Sequence, residues 1–503
     1  LIYSKKDNTP ALEEGDVIAL DCQGIRYVRV NVEYNSASAI SAVAEIKIHV
    51  TTSDAQTQDK KEKYELESFD QSEYASSLEV TKLLNGIVER TVGEEYINWF
   101  EFEEISQIEE GKDFYRISNH NGKIKIEGTS GVAIASGLNY YYKYYCNVNI
   151  TEVANQTKMP EEIIPVENTI QKESPYNVRY AFNYCTLSYT FPYYDLEDWQ
   201  HELDWLALNG VNVVLDLAGQ EAVWVLFLQE LGYSFEDAKN WLAGPGYYAW
   251  QFMDNLEYIN GPVPEGWIED RVELARSTLQ WKNAMGMQTV LQGYAGMLPS
   301  NVEEFVTDQR IIDNLLPQGE WGSLDRPWMV RTDSEAYEIL AEKFYQVQEI
   351  VYGKDNHYYA VDPFHEGGIR PSDLSDDIIA EKVLENLVDK YDEKAVWLIQ
   401  HWWSNPSQKL LEGIGDYRDE HAMILNLTAV PNTGDSAGST GIPDDTKFNN
   451  TPWVYCMLES YGGNASLYAD LETLSKIPQL VEEKGNTTLQ GIGIISEATL
   501  DIP

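Results

Sequence analysis

The sequence predicts an α/β protein built on a parallel (β/α)8 barrel, and three observations indicate that fold. From Pro175 onward, short apolar segments alternate with helical segments and loops. We find eight such apolar segments, several of them apolar at nearly every position, which is typical of parallel strands buried on both faces. No glycine-rich phosphate-binding loop follows any of them, which disfavours the alternative of an open doubly wound sheet.

The eight predicted strands are short and rich in apolar residues. They are residues 179–185, 211–218, 288–296, 357–364, 395–402, 421–429, 452–458 and 489–496. Helices are predicted between them, for example at residues 196–210 and at residues 272–286, where Gly286 is a stop signal. Only EATLDIP follows the eighth strand, which is too short for an eighth barrel helix. We therefore expect the natural protein to continue beyond Pro503, with residues 173–503 as its catalytic barrel.

Two further regions are predicted before the barrel. Residues 76–172 have the pattern of a small α/β domain, with a helix at 78–93, a strand at 99–105, a hairpin turning at Asn121-Gly122, and a helix capped by Thr129 or Ser130. Residues 1–75 contain two alternating strands, at 24–34 and 43–50, and a polar linker at 51–65. This first region resembles the last third of a discoidin-like carbohydrate-binding module and predicts a partial β-sandwich.

Composition excludes several classes of protein. The 503 residues carry 82 Asp and Glu against 36 Lys and Arg, for a net charge of −46, which disfavours binding to nucleic acid or to anionic lipid. No apolar run approaches the roughly 18 residues of a membrane-spanning helix. Four widely spaced cysteines (Cys22, Cys146, Cys185 and Cys456) and the absence of HExxH favour neither a disulfide scaffold nor a zinc site. We expect no metal or cofactor, and the oligomeric state cannot be predicted.

Two carboxylates fall just beyond opposite strands of the predicted barrel. Glu366 follows the fourth strand, and Glu497 follows the eighth. Catalytic groups of this fold lie at the carboxyl ends of the strands, and glycoside hydrolysis needs a pair of carboxyl groups. Asp216 and Asp362 are competing acids, whose alternative role is hydrogen bonding to loop amides at the rim of the barrel.

Aromatic residues near the predicted strand ends favour a carbohydrate site, because sugars stack their C–H faces on aromatic rings. Five tryptophans lie in or just after strand–helix loops: Trp224, Trp250, Trp321, Trp402 and Trp403. Cys185 has no Cys–His signature, so a buried or pocket-lining thiol is expected. His365 either contacts substrate or tunes Glu366, or it is an ordinary hydrogen-bonded loop histidine.

From residue 176 to the end, the chain resembles glycoside hydrolase family 89, the α-N-acetylglucosaminidases. Nine stretches match in family order: NYCTLSYTF (183–191), DWLALNGVN (204–212), GQEAVW (219–224), GPGYYAW (244–250), GMQTVLQGYAG (286–296), DPFHEGG (362–368), AVWLIQHW (395–402), YCMLESYGGN (455–464) and GIGIISEA (491–498). Upstream, residues 126–146 resemble the small α/β domain that precedes the family's barrel.

The resemblance implies a retaining exo-hydrolase that removes terminal α-linked N-acetylglucosamine from glycans. Glu366 matches the general acid/base and Glu497 the nucleophile, the first protonated and the second ionised in the resting enzyme. The implied substrate-binding residues are Asn183, Cys185, Tyr189, Trp250, Met253, Trp321 and Trp402, to which we add His365 as the neighbour of Glu366.

The chain also departs from the family pattern. Asn426 stands where the family usually has Asp, Val430 where it has an acid, and Glu459-Ser460 where a relative has His-Asn. The family's C-terminal helical domain is missing from this sequence. The discoidin-like segment leads us to expect a bacterial protein that is secreted or held at the cell surface. Two other functions stay open: a glycan-binding barrel without hydrolytic activity, and an exo-hexosaminidase of other anomeric specificity.

Overall fold

The computed structural model describes residues 63–71, 79–106, 112–151, 155–402, 404–427, 445–458, 475–477, 479, 483 and 488–499. These residues belong to one compact unit, Lys60–Pro503. Several predictions lie outside the described residues: the partial β-sandwich with most of its linker, Cys22, Trp403, Val430, Glu459 and Ser460.

A four-stranded sheet forms the small α/β domain. Its strands are β1 (Phe100–Glu104), β2 (Phe114–His120), β3 (Lys123–Gly128) and β4 (Ile170–Glu173), in the order β1-β3-β2-β4. The predicted hairpin is confirmed, since Asn121 and Gly122 both have positive φ, as a type I′ turn between β2 and β3 requires. Two helices accompany the sheet, α1 (Val80–Thr91) and α2 (Gly131–Tyr141), and a π-helical turn at Tyr142–Cys146 extends α2. Ser130 caps α2 by accepting a hydrogen bond from the Ala133 amide.

The barrel begins with strands β5 (Val178–Ala181), β6 (Val213–Leu215) and β7 (Gln288–Gln292). The helices of this half are α3 (Thr186–Tyr189), α4 (Leu196–Leu208), α5 (Gln220–Glu230), α6 (Phe235–Trp241), α7 (Tyr248–Phe252) and α8 (Trp267–Met285). Helix α8 starts earlier than predicted and ends at the predicted stop, Gly286, whose φ of 83° is the left-handed conformation that favours glycine.

Polar contacts join the small domain to α4 and β5. The Arg90 guanidinium forms an ion pair of 2.6 Å with Asp204 of α4. The Asn139 amide of α2 donates to the Leu208 carbonyl at 2.8 Å, and Arg179 of β5 pairs with Asp113. The sheet domain is therefore anchored to the barrel near its first strands.

An irregular excursion separates β7 from the fourth barrel strand. It contains the short strands β8 (Met297–Leu298), β9 (Leu315–Leu316), β10 (Glu320–Trp321), β11 (Leu324–Asp325) and β12 (Trp328–Val330), and the helices α9 (Gln309–Ile312) and α10 (Glu335–Tyr352). Strands β8, β12 and β9 form one small sheet, and β10 and β11 form a separate antiparallel hairpin.

Five strands complete the barrel: β13 (Tyr358–Ala360), β14 (Val396–His401), β15 (Ala422–Asn426), β16 (Trp453–Met457) and β17 (Leu489–Ile494). The helices here are α11 (Asp376–Leu384), extended by a π-helix at Glu385–Tyr391, α12 (Gln408–Gly413) and α13 (Arg418–His421). Single 3-10 segments lie at Glu94–Trp99, Pro245–Tyr247, Val302–Glu304, His365–Gly367, Gly415–Tyr417 and Asp445–Phe448. All eight barrel strands are parallel and the sheet is closed, which confirms the predicted (β/α)8 barrel.

The barrel closes where its last strand pairs with its first. Gly491 lies opposite Val178 in the β17–β5 register. A side chain at position 491 would overlap the Val178 carbonyl, so only glycine permits this close approach. The strands are shorter than predicted. After β13, for example, Pro363 has no backbone N–H to donate, and Phe364 turns into the left-handed region with φ 58°.

Among the described residues, no helix is both long and apolar enough to cross a bilayer. The same residues contain no group of three or more His, Cys, Asp and Glu side chains that could hold a metal ion.

Candidate active site

Glu366 lies in a tight turn just beyond β13. Its backbone has φ 42° and ψ 55°, and Phe364 two residues earlier also has positive φ. Such conformations are rare for residues other than glycine, and they persist where surrounding contacts hold them. The Glu366 side chain is exposed, at the carboxyl end of its strand, as predicted.

Two buried residues hold this turn from below. The Asn255 side-chain amide donates to Oε2 of Glu366 at 3.0 Å. The Arg326 guanidinium donates to the carbonyls of Asp254 (3.2 Å), His365 (3.0 Å) and Glu366 (2.6 Å). Both the carboxylate and the peptide of Glu366 are therefore positioned by specific donors.

Glu497 follows β17 and is half-buried. The loop after β5 holds the two residues that precede it. Asn183 donates from Nδ2 to the Ile495 carbonyl at 3.2 Å, and the Thr186 hydroxyl donates to the Ser496 carbonyl at 3.0 Å. The side-chain oxygen of Asn183 also accepts a hydrogen bond from the Cys185 backbone amide. The Asn183 side chain therefore joins the loop after β5 to the segment after β17.

The two glutamates face each other across the barrel mouth, because β13 and β17 are four strands apart in a ring of eight. Cys185 lies near both carboxylates. Burial raises the pKa of its thiol well above the ordinary value, and the negative charges of Glu497 and Glu366 raise that pKa further. The thiol is buried and un-ionised, as expected for a pocket-lining residue rather than a nucleophile.

Aromatic residues line the rim on the β5 side. Tyr189 is 46% exposed, and its ring meets that of Trp250 edge to face at 5.2 Å between centroids. Burial raises the pKa of Tyr189 to about 12, with a further contribution from the charge of Glu497. Met253, just after α7, is buried beneath this rim. An apolar surface next to an acid pair suits a sugar ring.

Two more predicted site residues lie on the Glu366 side. The Trp402 ring is 5.1 Å from the His365 ring, and the indole is half-buried. Trp321 is half-buried in the β10–β11 hairpin, which leads directly into Arg326. The predicted site residues lie on segments that follow five different barrel strands: Asn183, Cys185 and Tyr189 after β5, Trp250 and Met253 after β6, Trp321 after β7, His365 after β13 and Trp402 after β14. Their contacts with a ligand stay predictions.

The expectation that Trp224 is a sugar platform is wrong. Trp224 lies inside α5 with 1% of its surface exposed. Its indole N–H donates to Gln292 of β7, and its ring packs against Trp241 and Phe344. The helix begins four residues earlier than Trp224, so this side chain points into the layer between barrel and helices.

The competing acids are explained by their surroundings. Asp216 accepts a hydrogen bond from the Ala218 loop amide at 2.9 Å, which confirms its alternative role, and it pairs with the buried Lys282. Asp362 is buried beneath the Glu366 turn. Burial raises its pKa to about 7, although a hydrogen bond from Asn405 acts to lower that pKa. Neither carboxylate is presented at the barrel mouth.

The histidines near the site are neutral. His365 is buried, and burial followed by the charge of Arg326 lowers its pKa to about 3. Its Nδ1 lies 3.1 Å from Oδ1 of Asn255, within hydrogen-bonding distance. His401 similarly meets Asn426 at 3.0 Å, and its pKa is lowered to about 4, chiefly by burial.

Sequence reasoning missed Asn255 and Arg326. Each lies in an irregular loop, 111 and 40 positions from Glu366 respectively, without a motif around it. The acidic residues beside Asn255, in DNLE, do not distinguish it from other loops of this acidic chain.

Two family models and a known relative match this chain. The model of the alpha-N-acetylglucosaminidase (NAGLU) tim-barrel domain matches residues 179–501, and that of the N-terminal domain matches residues 83–166. Human alpha-N-acetylglucosaminidase is 28% identical over 400 residues, covering 77% of this chain and 52% of the human protein.

Solved structures from Clostridium perfringens are similar over most of the described fold. A family 89 glycoside hydrolase in complex with 2-acetamido-1,2-dideoxynojirmycin is 35% identical, with a TM-score of 0.80, covering 88% of this chain and 50% of that one. Another, bound to GlcNAc-alpha-1,4-galactose, is 36% identical with a TM-score of 0.78, covering 86% and 47%. The chain thus spans about half the length of these relatives. It belongs to the α-N-acetylglucosaminidase family, as the match across its whole barrel establishes.

Proposed function

We propose that the protein is a retaining exo-glycosidase that hydrolyses terminal α-linked N-acetylglucosamine from glycans. The observation that carries the proposal is the convergence of Glu366 and Glu497 on one buried thiol, Cys185, at the mouth of a closed barrel. A carboxyl pair at that position, beside the aromatic rim of Tyr189 and Trp250, supports glycoside hydrolysis.

The proposed reaction has two steps. Glu497 attacks the anomeric carbon while Glu366 gives its proton to the glycosidic oxygen, and the C–O bond to the leaving group breaks. Glu366 then takes a proton from water, whose oxygen attacks the same carbon and releases Glu497. Retention requires carboxyl groups about 5 Å apart, whereas inversion requires about 6.5–9.5 Å.

The relative solved with GlcNAc-alpha-1,4-galactose supports a glycan capped by α-linked N-acetylglucosamine. A net charge of −46 repels sulfated chains, so neutral mucin-type glycans are favoured over heparan-derived ends. We also propose an extracellular or cell-surface location, because such glycans are met there.

The test uses the full-length natural protein, Glu366→Gln and Glu497→Gln, assayed for release of phenol from aryl α- and β-N-acetylglucosaminides. We expect turnover of the α-anomer alone, and a loss of about a thousandfold or more in each variant. Proton NMR of the first sugar released should show the α-anomer if the enzyme retains configuration.

Other outcomes would refute parts of the proposal. Binding of N-acetylglucosamine without hydrolysis would indicate a glycan-binding barrel, and turnover of the β-anomer would indicate a different hexosaminidase. Full activity in either variant would show that the role assigned to the substituted glutamate is wrong.

A further inference from the structure

The Asn255 side chain bridges the two residues at the centre of the Glu366 turn. It is fully buried in the loop after α7, with 0% of its surface exposed. Its Nδ2 lies 3.0 Å from Oε2 of Glu366, and its Oδ1 lies 3.1 Å from Nδ1 of His365. The amide is therefore the one described link between the His365 ring and the Glu366 carboxyl group.

The placement of this amide determines which nitrogen of His365 carries the hydrogen. Because the lowered pKa keeps His365 neutral, its ring has a single N–H. The Oδ1 of Asn255 can only accept a hydrogen bond, so the ring hydrogen must be on Nδ1. The other end of the amide, Nδ2, faces Glu366 and donates to its Oε2.

An N–H donor at Oε2 distinguishes the two oxygens of Glu366. When Glu366 is protonated, the carbonyl-type oxygen is the better acceptor for the Asn255 N–H, so the contact at Oε2 favours the proton on Oε1. We propose that Asn255 is a positioning residue that directs the transferable proton of Glu366 to Oε1. This inference rests on the proposed hydrolase function and names a residue that acts through Glu366 without touching the sugar.

The assignment specifies where each proton goes. In the first step, the proton on Oε1 moves to the glycosidic oxygen as its bond to the anomeric carbon breaks, and Glu497 forms the new bond. In the second step, Oε1 takes a proton from water as the water oxygen bonds to that carbon. The bond between that carbon and Glu497 breaks as the water oxygen bonds, and both glutamates return to their starting states.

Arg326 has a different task in the same turn. Its three hydrogen bonds go to backbone carbonyls, so it holds the peptide in its left-handed conformation and leaves the carboxyl group to Asn255. The loss of Asn255 should therefore disturb proton transfer while the turn itself persists.

The test compares two substrates with Asn255→Ala and Asn255→Asp. A dinitrophenyl α-N-acetylglucosaminide has a leaving group that needs no proton, whereas GlcNAc-α-1,4-galactose needs one. We expect kcat/KM to fall about a hundredfold on the disaccharide, the scale of a general-acid contribution, and to change less than about threefold on the dinitrophenyl substrate. On the latter, kcat and KM should fall together as the glycosyl-enzyme accumulates, and azide should restore kcat.

Asn255→Asp keeps the shape of the side chain and an acceptor for His365, so it tests the proposal even if the alanine variant does not fold. Gln251→Ala is the matched control, because Gln251 is equally buried in the same region and its side chain bonds to the backbone of Ala243 and Trp241. Any effect of that control should be equal on the two substrates.

Equal losses on both substrates in the Asn255 variants, without rescue by azide, would show a merely structural role and overturn the proposal. If the native protein turns over neither substrate, the proposed hydrolase function itself fails, which is a distinguishable result.

Discussion

The two glutamates at the barrel mouth are supported in different ways. Glu366 is held through its own carboxyl oxygen by Asn255 and through its own peptide by Arg326, in a left-handed turn. The supports of Glu497 described above act one and two residues earlier, where Asn183 and Thr186 bind the carbonyls of Ile495 and Ser496.

This difference matches what each residue must do in the proposed reaction. A general acid/base gives and takes a proton, so the identity of its oxygen matters and a donor to that oxygen is useful. A nucleophile must above all be placed at the right distance from the anomeric carbon, and fixing the end of its strand achieves this. The comparison therefore predicts that the supports of Glu366 and those of Glu497 will respond differently to substitution.

The largest expected effect concerns the buried acid beneath Glu366. Burial raises the pKa of Asp362 from 3.8 to about 7, so folding favours its protonated form. The protonated Asp362 carboxyl group makes its full contribution to stability below about pH 4, and this contribution is lost as the pH rises through 7. As the pH rises from about 4 to above 7, the stability of Asp362→Asn relative to the native protein should therefore grow by on the order of 4 kcal/mol, measured by urea denaturation at several pH values. Asp308→Asn, at a carboxylate whose pKa is lowered, should not show this gain. A stability difference between Asp362→Asn and the native protein that is independent of pH would contradict the assignment.

The next effect tests whether Arg326 holds the turn. Arg326→Met leaves three carbonyls without their donor, and each such loss costs about 1–3 kcal/mol when the group is buried. We expect the free energy of unfolding to fall by about 3 kcal/mol, again by urea denaturation. Arg326→Lys keeps the positive charge but lacks the planar guanidinium with its several donors. It should therefore recover only part of the lost free energy of unfolding. If the methionine variant is as stable as the native protein, the guanidinium does not hold the turn.

The smallest effect tests the support of Glu497. Thr186→Val keeps the shape of a fully buried side chain but removes the donor to the Ser496 carbonyl. Because the nucleophile is needed for every leaving group, kcat/KM should fall about tenfold on the disaccharide and the dinitrophenyl substrate alike. Thr278→Val is the matched control, equally buried on α8, and should leave both values unchanged. If Thr186→Val lowered kcat/KM on the disaccharide alone, the supports of Glu366 and of Glu497 would not differ in the way proposed.

The barrel was predictable because short segments that are apolar at nearly every position alternate with helical segments, as in residues 395–402 and 421–429. The positions of Glu366 and Glu497 just beyond β13 and β17 were predictable, and the carboxyl ends of the strands are where this fold places chemistry. The residues at which the strands end were less predictable. Left-handed residues such as Phe364 stop a strand early, and a phenylalanine gives no local signal for that conformation.

The residues that support the site were not predictable. Asn255 and Arg326 come from loops whose path depends on packing between distant elements, and their types are ordinary for loops. Trp224 shows the converse error, since an aromatic residue near a strand end can equally belong to the helix that follows and face the core. The residue type alone does not show whether such an aromatic side chain lies at the rim of the barrel or in the core.

The closure of the barrel between β17 and β5 also has a consequence for how the protein is made. A ribosome delivers Asn183 and Thr186 some 310 residues before the segment that they bind. Until Gly491 and its neighbours emerge and insert beside Val178, the nascent chain lacks the strand that ends just before Glu497. In the proposed hydrolase the pair of glutamates is therefore completed only when the barrel closes, and a translation product that stops before Glu497 should not hydrolyse a glycan.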